Sequence, residues 1–551
     1  MFLGGLPSEK KLPNSLTQQG EEAQLLELFI KVSFIAPRAF PPVSYLSLNL
    51  CSGNAFYKRR KRRPRWSAAP ATVKLRRMEV KRVVKEAREA FESGVTRSYS
   101  WRKSQLRALK AILVEKEADI FNALKLDLGK HRIEAYRDEV GLLIKSVDYA
   151  LKNLKKWMAP KKVDVPLVCF PATGEIVAEP LGVVLIFSSW NFPIGLSFEP
   201  LVGAIAAGNA VVLKPSELAP ASSAFLATNL PKYLDNSVKV VEGGSHIGEQ
   251  LLEHKWDKIF FTGSSRVGRI IMTAAAKHLT PVTLELGGKC PAIIDTLSRA
   301  RDIEVTINRV AGAKWGPCSG QACIAIDYLL VEEQFAPLLV DLLKARIKKS
   351  YKDPENSARI AHKQQFQRLS NFLNDSAVAA SVVYGGSLNA ESLLIEPTIL
   401  LNPPLDSEIM REEIFGPLLP VITLKKIEDS IEFLKVRPKP LVIYAFTVDE
   451  KLKRRVIEET SSGSITFNDA ILQFAVDSLP FGGTGESGFG KYHGKFSFDQ
   501  FSHGKAILRR SFLIELSCRY PPWNEWKLQF IRYIYRFYYI GILLMLLGLK
   551  R

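Results

Sequence analysis

A chain of 551 residues, 47% apolar and 24% charged, is too long for one simple core and too apolar for disorder throughout, so two or three globular domains are expected. Its six cysteines show neither paired spacings nor a CxxC pair, which excludes a disulfide framework and a zinc cluster; the globular part is expected among reduced thiols, with no metal. The net charge of +20 looks like a nucleic-acid signature, but residues 1–77 hold 14 Lys/Arg against 4 Glu, so half of the excess lies in an N-terminal extension.

That extension shows no sustained helical period. Its densest run, "KRRKRRPR" (Lys58 to Arg65), suits phosphate contacts or a nuclear address, yet no aromatic platform is interleaved with it. It ends in "WSAAPATVKLRRM", where small residues suit processing, and reads as a targeting segment outside the fold. Glu9, Glu21, Glu22 and Glu27 fit poorly in an acid-poor transit peptide; the alternative is a second start at Met78 that gives a cytosolic form.

From Met78 the pattern changes, and the fold is expected to begin there: Val80, Val83, Val84, Ala87 and Phe91 form one helical stripe, with Gly94 placed as a stop. A second helical segment runs from Trp101 to Leu128 and a third from Tyr136 to Trp157. "KVDVPLVCFPATGEIVAEP" alternates and is broken by Pro, which suits a projecting β-arm. Short apolar runs then alternate with helices: "GVVLIFSSW", "AVVLKPS", "SVKVVEG", "KIFFTGS" and "PVTLELGG" read as buried parallel strands of a doubly wound α/β sheet. A second set, "PAIIDT", "DYLLVEE" and "LVIYAFT", implies a second α/β domain. At the C-terminus, Phe537 to Leu549 is an apolar run of 13 residues, shorter than the roughly 17–25 a spanning helix needs. An interfacial anchor with Arg532 and Arg536 snorkelling is the first reading, a short spanning helix the second, docking on another subunit the third.

Several short motifs could carry chemistry, and each has a plainer alternative. In "GPCSGQACIA" (residues 316–325), Cys318 and Cys323 on spacing alone are small buried hydrophobes. Gly263-Ser264-Ser265-Arg266-Val267-Gly268, between a strand and a helix, suits a pyrophosphate turn, or an ordinary strand-to-helix turn. Lys214 and Glu217 follow a strand end, within reach of a ribose or phosphate, or form a solvated pair. Asn191 of "WNFP" suits an oxyanion donor, or a turn. Glu285, inside the apolar strand "TLELGG", is either paired structurally or kept as a general base of raised pKa.

Together, "WNFP", "KPSE", "FTGSSRVG", "LELGGK", "GQACI" and "EEIFGPLLP" resemble, in order and spacing, the aldehyde dehydrogenase superfamily. "FGGTGESGFGKYHGKFSFDQFSH" resembles its class 3 branch, and "GVTRSYSWRKSQLRAL" and "AAAKHLTPVTLELGGKCPA" its plant members, especially those with a chloroplast extension. The resemblance covers roughly residues 79–525. Departures are a longer stretch around "LSRARDIEV", a compressed "KKSYKDPENSARIAHKQQ", and Pro317 before Cys318.

The resemblance implies an α/β aldehyde dehydrogenase fold with a Rossmann-like cofactor domain, an α/β catalytic domain and a small β oligomerisation arm. The expected boundaries are a targeting extension at 1–77, an NAD(P)-binding domain at 78–284 with its β-arm at 161–181, a catalytic domain at 285–466, an oligomerisation and C-terminal segment at 467–525, and a hydrophobic tail at 526–551. It makes Cys323 the nucleophile, Glu285 the general base, and Asn191 with the Cys323 N–H the oxyanion hole. Lys214 and Glu217 would lie around the adenosine ribose, Gly263 to Gly268 at the pyrophosphate, and Glu413 and Phe415 at the nicotinamide end. The expected reaction is oxidation of aliphatic or aromatic, lipid-derived aldehydes to acids with NAD, NADP being possible. Glu217 mildly favours NAD because a carboxylate repels a 2′-phosphate. A homodimer in plastids is expected, with peripheral membrane contact through the tail and no nucleic-acid partner. The competing readings are a coenzyme A-acylating enzyme, disfavoured by Glu285, and a catalytically retired membrane or nucleic-acid-binding protein. An oxidative Cys318–Cys323 disulfide is a further possibility at the nucleophile.

Overall fold

The structure is a computed structural model that describes residues 70–549 apart from Phe170, Lys352, Pro354, Asn356 and Ile514; the run Lys58–Arg65 and the rest of the extension to residue 69 lie outside the described residues. Helix α1 (Pro70–Glu92) begins eight residues before Met78, where the fold was expected to start, because a proline at the first helical position lacks only an N–H that would have no partner there. The expected stripe is its buried face: Val80 and Ala87 are in the core, with Val83, Val84 and Phe91 packed against it. Gly94, at φ +79°, ends this segment. Arg88 fastens the helix to Asp257, whose carboxylate also accepts the Val183 N–H at 2.7 Å.

The second helical segment is two helices, α2 (Tyr99–Glu115) and α3 (Glu117–Leu128), broken at Lys116, with Glu117 and Asp119 favourably placed in the first turn of α3. The third is α4 (Gly141–Met158), entered through a π-turn at Tyr136–Val140.

Four sheets follow among the described residues, one of them only the antiparallel pair Leu388–Asn389 and Leu394–Ile395. The arm consists of β1 (Lys161–Val163), β2 (Ala172–Pro180) and the late strand Ser502–Arg510, all antiparallel and largely exposed, with Pro180 opposite Ser502 and Ala172 opposite Arg510. The first large sheet is built from β3 (Val183–Phe187), β4 (Ala210–Lys214), β5 (Val238–Val240), β6 (Lys258–Gly263) and β7 (Val282–Leu286), all parallel, in spatial order β7-β6-β3-β4-β5. Its central strands are wholly buried, as their uninterrupted Val/Leu/Ile runs require of a sheet covered on both faces. The strand order reverses between β3 and β6, and the switch point opens at the carboxyl ends of the strands.

The second large sheet comprises β8 (Pro291–Ile294), β9 (Tyr328–Glu332), β10 (Val382–Tyr384), β11 (Thr398–Leu401), β12 (Leu418–Leu424), β13 (Val442–Phe446) and β14 (Ser464–Phe467). Its order is β10-β11-β12-β9-β8-β13-β14, and only β10 runs antiparallel. The short strand β15 (Gly488–Phe489) closes the first sheet by pairing antiparallel with β7, Gly488 lying opposite Glu285.

The C-terminal apolar run does not form one helix. Helices Glu525–Tyr535 and Tyr539–Leu546 meet at Phe537, whose φ is +55°, and bury Cys518, Phe530, Tyr533, Ile534 and Met545 between them. Ile540, Leu543, Leu546 and Leu549 remain exposed. Among the described residues no helix is long and apolar enough to cross a membrane.

The buried residues Val80 and Ala87 of α1 follow Met78, so a chain starting at Met78 retains them. Its melting temperature is expected within about 4 °C of the full chain by calorimetry; a larger fall would mean that residues before Met78 hold part of the fold.

Candidate active site

The carboxyl ends of the first sheet bring together most of the residues singled out in the sequence. Asn191 follows β3, Lys214 ends β4 with Glu217 one turn on, Gly263 ends β6 and Glu285 sits in β7. Cys323 arrives from the second sheet, in the connection ahead of β9.

The loop carrying Cys323 is wound tightly. Cys318, Ser319 and Gly320 have φ of 49°, 54° and 80°, and the Cys318 N–H is held by the buried Glu134 carboxylate at 2.7 Å. The Gln321 amide saturates the turn, donating to the Cys318 carbonyl at 2.9 Å and the Arg359 carbonyl at 3.0 Å and accepting from the Ala361 N–H at 3.0 Å. Cys318 is fully buried with Leu128 and Ala358, as its plain reading required, whereas Cys323 is only half-buried and lines a cavity. The thiol whose hydrogen bond reaches the Cys323 backbone belongs to Cys290, which donates to the Cys323 carbonyl at 3.3 Å; sequence reasoning had considered only Cys318 as a neighbour.

That cavity, about 70 Å³, places Cys323 and Glu285 in one chamber whose other walls include Phe192, Leu196, Ile471 and Phe474. Glu285 is 4% exposed and neither carboxylate oxygen has a hydrogen-bond partner, so burial pushes its pKa well above the ordinary carboxylate range. Burial also pushes the Cys323 thiol up, with the Glu413 and Glu285 carboxylates adding to it, while the N–H groups of Cys323 and Ile324 pull it back. An apolar chamber with a thiol, an unpartnered carboxylate and two N–H groups directed at the sulfur can add a nucleophile to a carbonyl and activate a water.

Asn191 is buried, and its Nδ2 donates to the Gln321 carbonyl at 3.0 Å, which leaves its second N–H for another acceptor. Its position is fixed by a pair that sequence reasoning missed. The Lys130 ammonium, wholly buried, bonds Glu139 at 2.7 Å and the Asn191 carbonyl at 2.9 Å, and lies 3.9 Å from the centre of the Phe192 ring. The other oxygen of Glu139 accepts the N–H groups of Ile194 and Gly195, both at 2.9 Å, and so caps α5 (Gly195–Ala207). Burial alone would lower the Lys130 pKa; chiefly Glu139 raises it, to about 12. No signal in "GKHRIEAYRDEVG" separates these two charges from the solvated ones around them.

The remaining residues fit a dinucleotide. Lys214 is buried and bonds Glu217 at 2.7 Å, with Glu217 partly exposed at the end of β4. Ser264 caps helix α6 (Ser265–Ala276) by accepting the Val267 N–H, and the Gly268 N–H bonds the Ser264 carbonyl at 2.9 Å, so the N–H groups of Ser265 and Arg266 in the first turn are the ones that face an anion. Glu413 stands so close to Gly287 that a Cβ there would lie 1.9 Å from its Oε2. Burial first, then Asp327, pushes Glu413 up to about 8. Phe415, at φ +53°, meets Trp190 edge-on at 5.4 Å. Their loop is pinned by Lys289, which bonds Asp327 and donates to the Ile409 and Glu412 carbonyls at 2.7 and 2.9 Å, and by Gln365, which donates to the Phe415 carbonyl at 2.8 Å.

Comparison with known proteins agrees in family. The profile of the aldehyde dehydrogenase family matches residues 66–507. Aldehyde dehydrogenase family 3 member F1 of Arabidopsis thaliana is 56% identical over 477 residues, covering 86% of this chain and 99% of that protein. The chloroplastic family 3 member I1 of the same plant is 48% identical over 450 residues, 81% of each chain. Among solved structures, Staphylococcus aureus AldH in its substrate-bound state aligns with a TM-score of 0.79 at 39% identity, over 83% of this chain and 99% of that one.

Replacing Lys130 by Met leaves Glu139 buried without its counter-ion, and chemical unfolding should show a loss of roughly 3–5 kcal/mol. The K130M/E139Q double variant should recover much of it, since the glutamine carbonyl still accepts from Ile194 or Gly195; equal losses in both would refute the pairing.

Proposed function

The chain belongs to the aldehyde dehydrogenase family and oxidises aldehydes to carboxylic acids with NAD or NADP, and from that premise we propose the following roles for its residues. Cys323 is the nucleophile and Glu285 the general base; the observation that carries both is their shared apolar chamber, in which Glu285 has no partner of its own. The Cys323 sulfur, on losing its proton, bonds to the aldehyde carbon and gives a tetrahedral thiohemiacetal. Its oxyanion is received by the second N–H of Asn191 and the backbone N–H of Cys323. When bound, the nicotinamide supplies the acceptor for the two electrons that leave with hydrogen from that carbon. Glu285 then takes a proton from a water, whose oxygen attacks the resulting thioester, and the carbon–sulfur bond breaks to release the acid and restore the thiolate.

Lys214 and Glu217 hold the adenosine ribose, the first turn of α6 holds the pyrophosphate, and Glu413 and Phe415 hold the nicotinamide end. The apolar walls favour aliphatic or aromatic aldehydes of lipid origin over charged ones. The mature enzyme works as a homodimer in plastids. The largely exposed arm and the exposed Ile270, Met272 and Leu279 on and after α6 support the dimer, and the relative named as chloroplastic supports the compartment. The C-terminal helix pair lies at a membrane interface through Ile540, Leu543, Leu546 and Leu549.

C323A should fold and abolish NAD(P)H formation; full activity would sink the assignment. E285Q should give one equivalent of NAD(P)H per site, then turnover slowed roughly 10²–10⁴-fold in stopped-flow measurements. A general base acts deprotonated, so kcat falls as pH drops through the Glu285 pKa, which burial has raised; the lost activity should therefore appear above the usual carboxylate range. A pH profile identical in E285Q would rule out this residue as the base. Vesicles containing anionic lipid should float with the full chain and leave behind a variant lacking residues 526–551; equal flotation would remove the anchor.

A further inference from the structure

Tyr444 stands in β13, between β8 and the edge strand β14 of the second large sheet, and is completely buried. Its hydroxyl makes three hydrogen bonds, the full capacity of a phenol with one proton and two lone pairs. It donates to the Ile324 carbonyl at 2.7 Å, and accepts the Ile471 N–H at 3.3 Å and the Gln473 amide at 3.2 Å. Ile324 directly follows Cys323, and its N–H is one of the two aimed at the sulfur. Ile471 and Phe474 belong to the far wall of the cavity that contains Cys323. One oxygen therefore ties the nucleophile loop to the substrate wall.

Ile471 is a β-branched residue at φ +69°, a strained conformation that persists only where neighbours hold it. The Tyr444 oxygen holds its N–H, and nothing in the local sequence "NDAILQF" would otherwise select a left-handed isoleucine. The strained residue thus points to the wall as a surface whose place is imposed.

We propose that Tyr444 is a positioning residue: its hydroxyl fixes the Ile471–Phe474 wall relative to Cys323 and thereby sets how turnover depends on aldehyde chain length. A long apolar chain leans on that wall, and only a wall held rigidly against the nucleophile loop turns the contact into placement of the carbonyl carbon at the sulfur. A short aldehyde does not reach the wall and gains nothing from it. The proposal rests on Cys323 being the nucleophile in this cavity.

The test uses the full chain with saturating NAD⁺, propanal and decanal as substrates, and kcat and KM measured separately for wild type, Y444F and Q473L. Phenylalanine keeps the ring and removes the bridging oxygen; Q473L removes one of the three bonds at a partly exposed position, and decides the matter should Y444F not fold. Y444F should lower kcat with decanal about tenfold and with propanal less than about twofold, and Q473L should shift the same ratio about threefold. A decanal-to-propanal ratio unchanged from wild type, or an equal loss with both substrates, overturns the proposal. C323A separates the two readings: activity in C323A overturns the nucleophile assignment, whereas an inactive C323A beside an unchanged ratio in Y444F overturns the role of Tyr444 alone.

Discussion

The site is organised around a carboxyl group that the protein leaves without a partner. Both oxygens of Glu285 are buried and unbonded, so its charged form is disfavoured until something polar enters the chamber. The same burial disfavours the Cys323 thiolate, and each group's charge would raise the other's pKa. Charge is therefore disfavoured on either group in the closed chamber. A negative charge becomes tolerable on the sulfur only as it passes to a new bond and then to an oxyanion met by fixed N–H donors. Apolar walls are a requirement of this arrangement, because a polar wall would pair with Glu285 and remove its basicity.

Two buried ion pairs beside the site, Lys130–Glu139 and Lys289–Asp327, contrast with Glu285 and show what pairing is for. Lys130 with Glu139 fixes the Asn191–Gly195 turn; Lys289 with Asp327 fixes the Glu412–Phe415 loop, where Asp327 also accepts the Ile414 N–H at 2.9 Å. Such pairs add little net stability against apolar replacements, since both ions are removed from water. What they supply is direction: each spends its remaining hydrogen bonds on main-chain groups of a loop that carries a site residue. Glu285 is left unpaired for chemistry, whereas these two pairs serve placement.

How far this could be read from the sequence follows the same division. Strands β3 to β7 were legible because strands buried on both faces must be apolar throughout, and the strand ends located Asn191, Lys214, Gly263 and Glu285 without any contact information. Cys323 was separable from Cys318 only through the resemblance of its motif to a family. Lys130, Glu139 and Tyr444 were not legible, because their roles depend on partners remote in the chain, as in the Glu139 bond to Ile194 with a separation of 55, the Lys130 bond to Asn191 with one of 61 and the Tyr444 bond to Ile324 with one of 120. The start of α1 was missed because the small and basic residues before Met78 carry no apolar stripe, although proline at a helix start is compatible with them. The apolar tail was visible as composition, but its break into two helices depends on Phe537 adopting a positive φ.

The glycines around the nucleophile complete the argument. A Cβ on Gly320 would lie 2.4 Å from the Gly416 carbonyl oxygen and 2.9 Å from that of Lys314, and its φ is +80°. Backbone therefore meets backbone where the nucleophile loop crosses the loop of Glu413 and Phe415, and at Gly287 the Glu413 carboxylate fills the space a side chain would need. The Gly320 contact is with backbone and has no flexible end that could yield, so movement of either loop is transmitted to the other. The left-handed conformations of Cys318, Ser319 and Phe415 are the consequence: two loops from different parts of the chain can approach so closely only if each turns sharply on either side of the contact. The thiol side and the proposed cofactor side of the site are thus one mechanical unit, which is why a single oxygen on Tyr444, bonded at the edge of that unit, is able to set the position of the substrate wall against it.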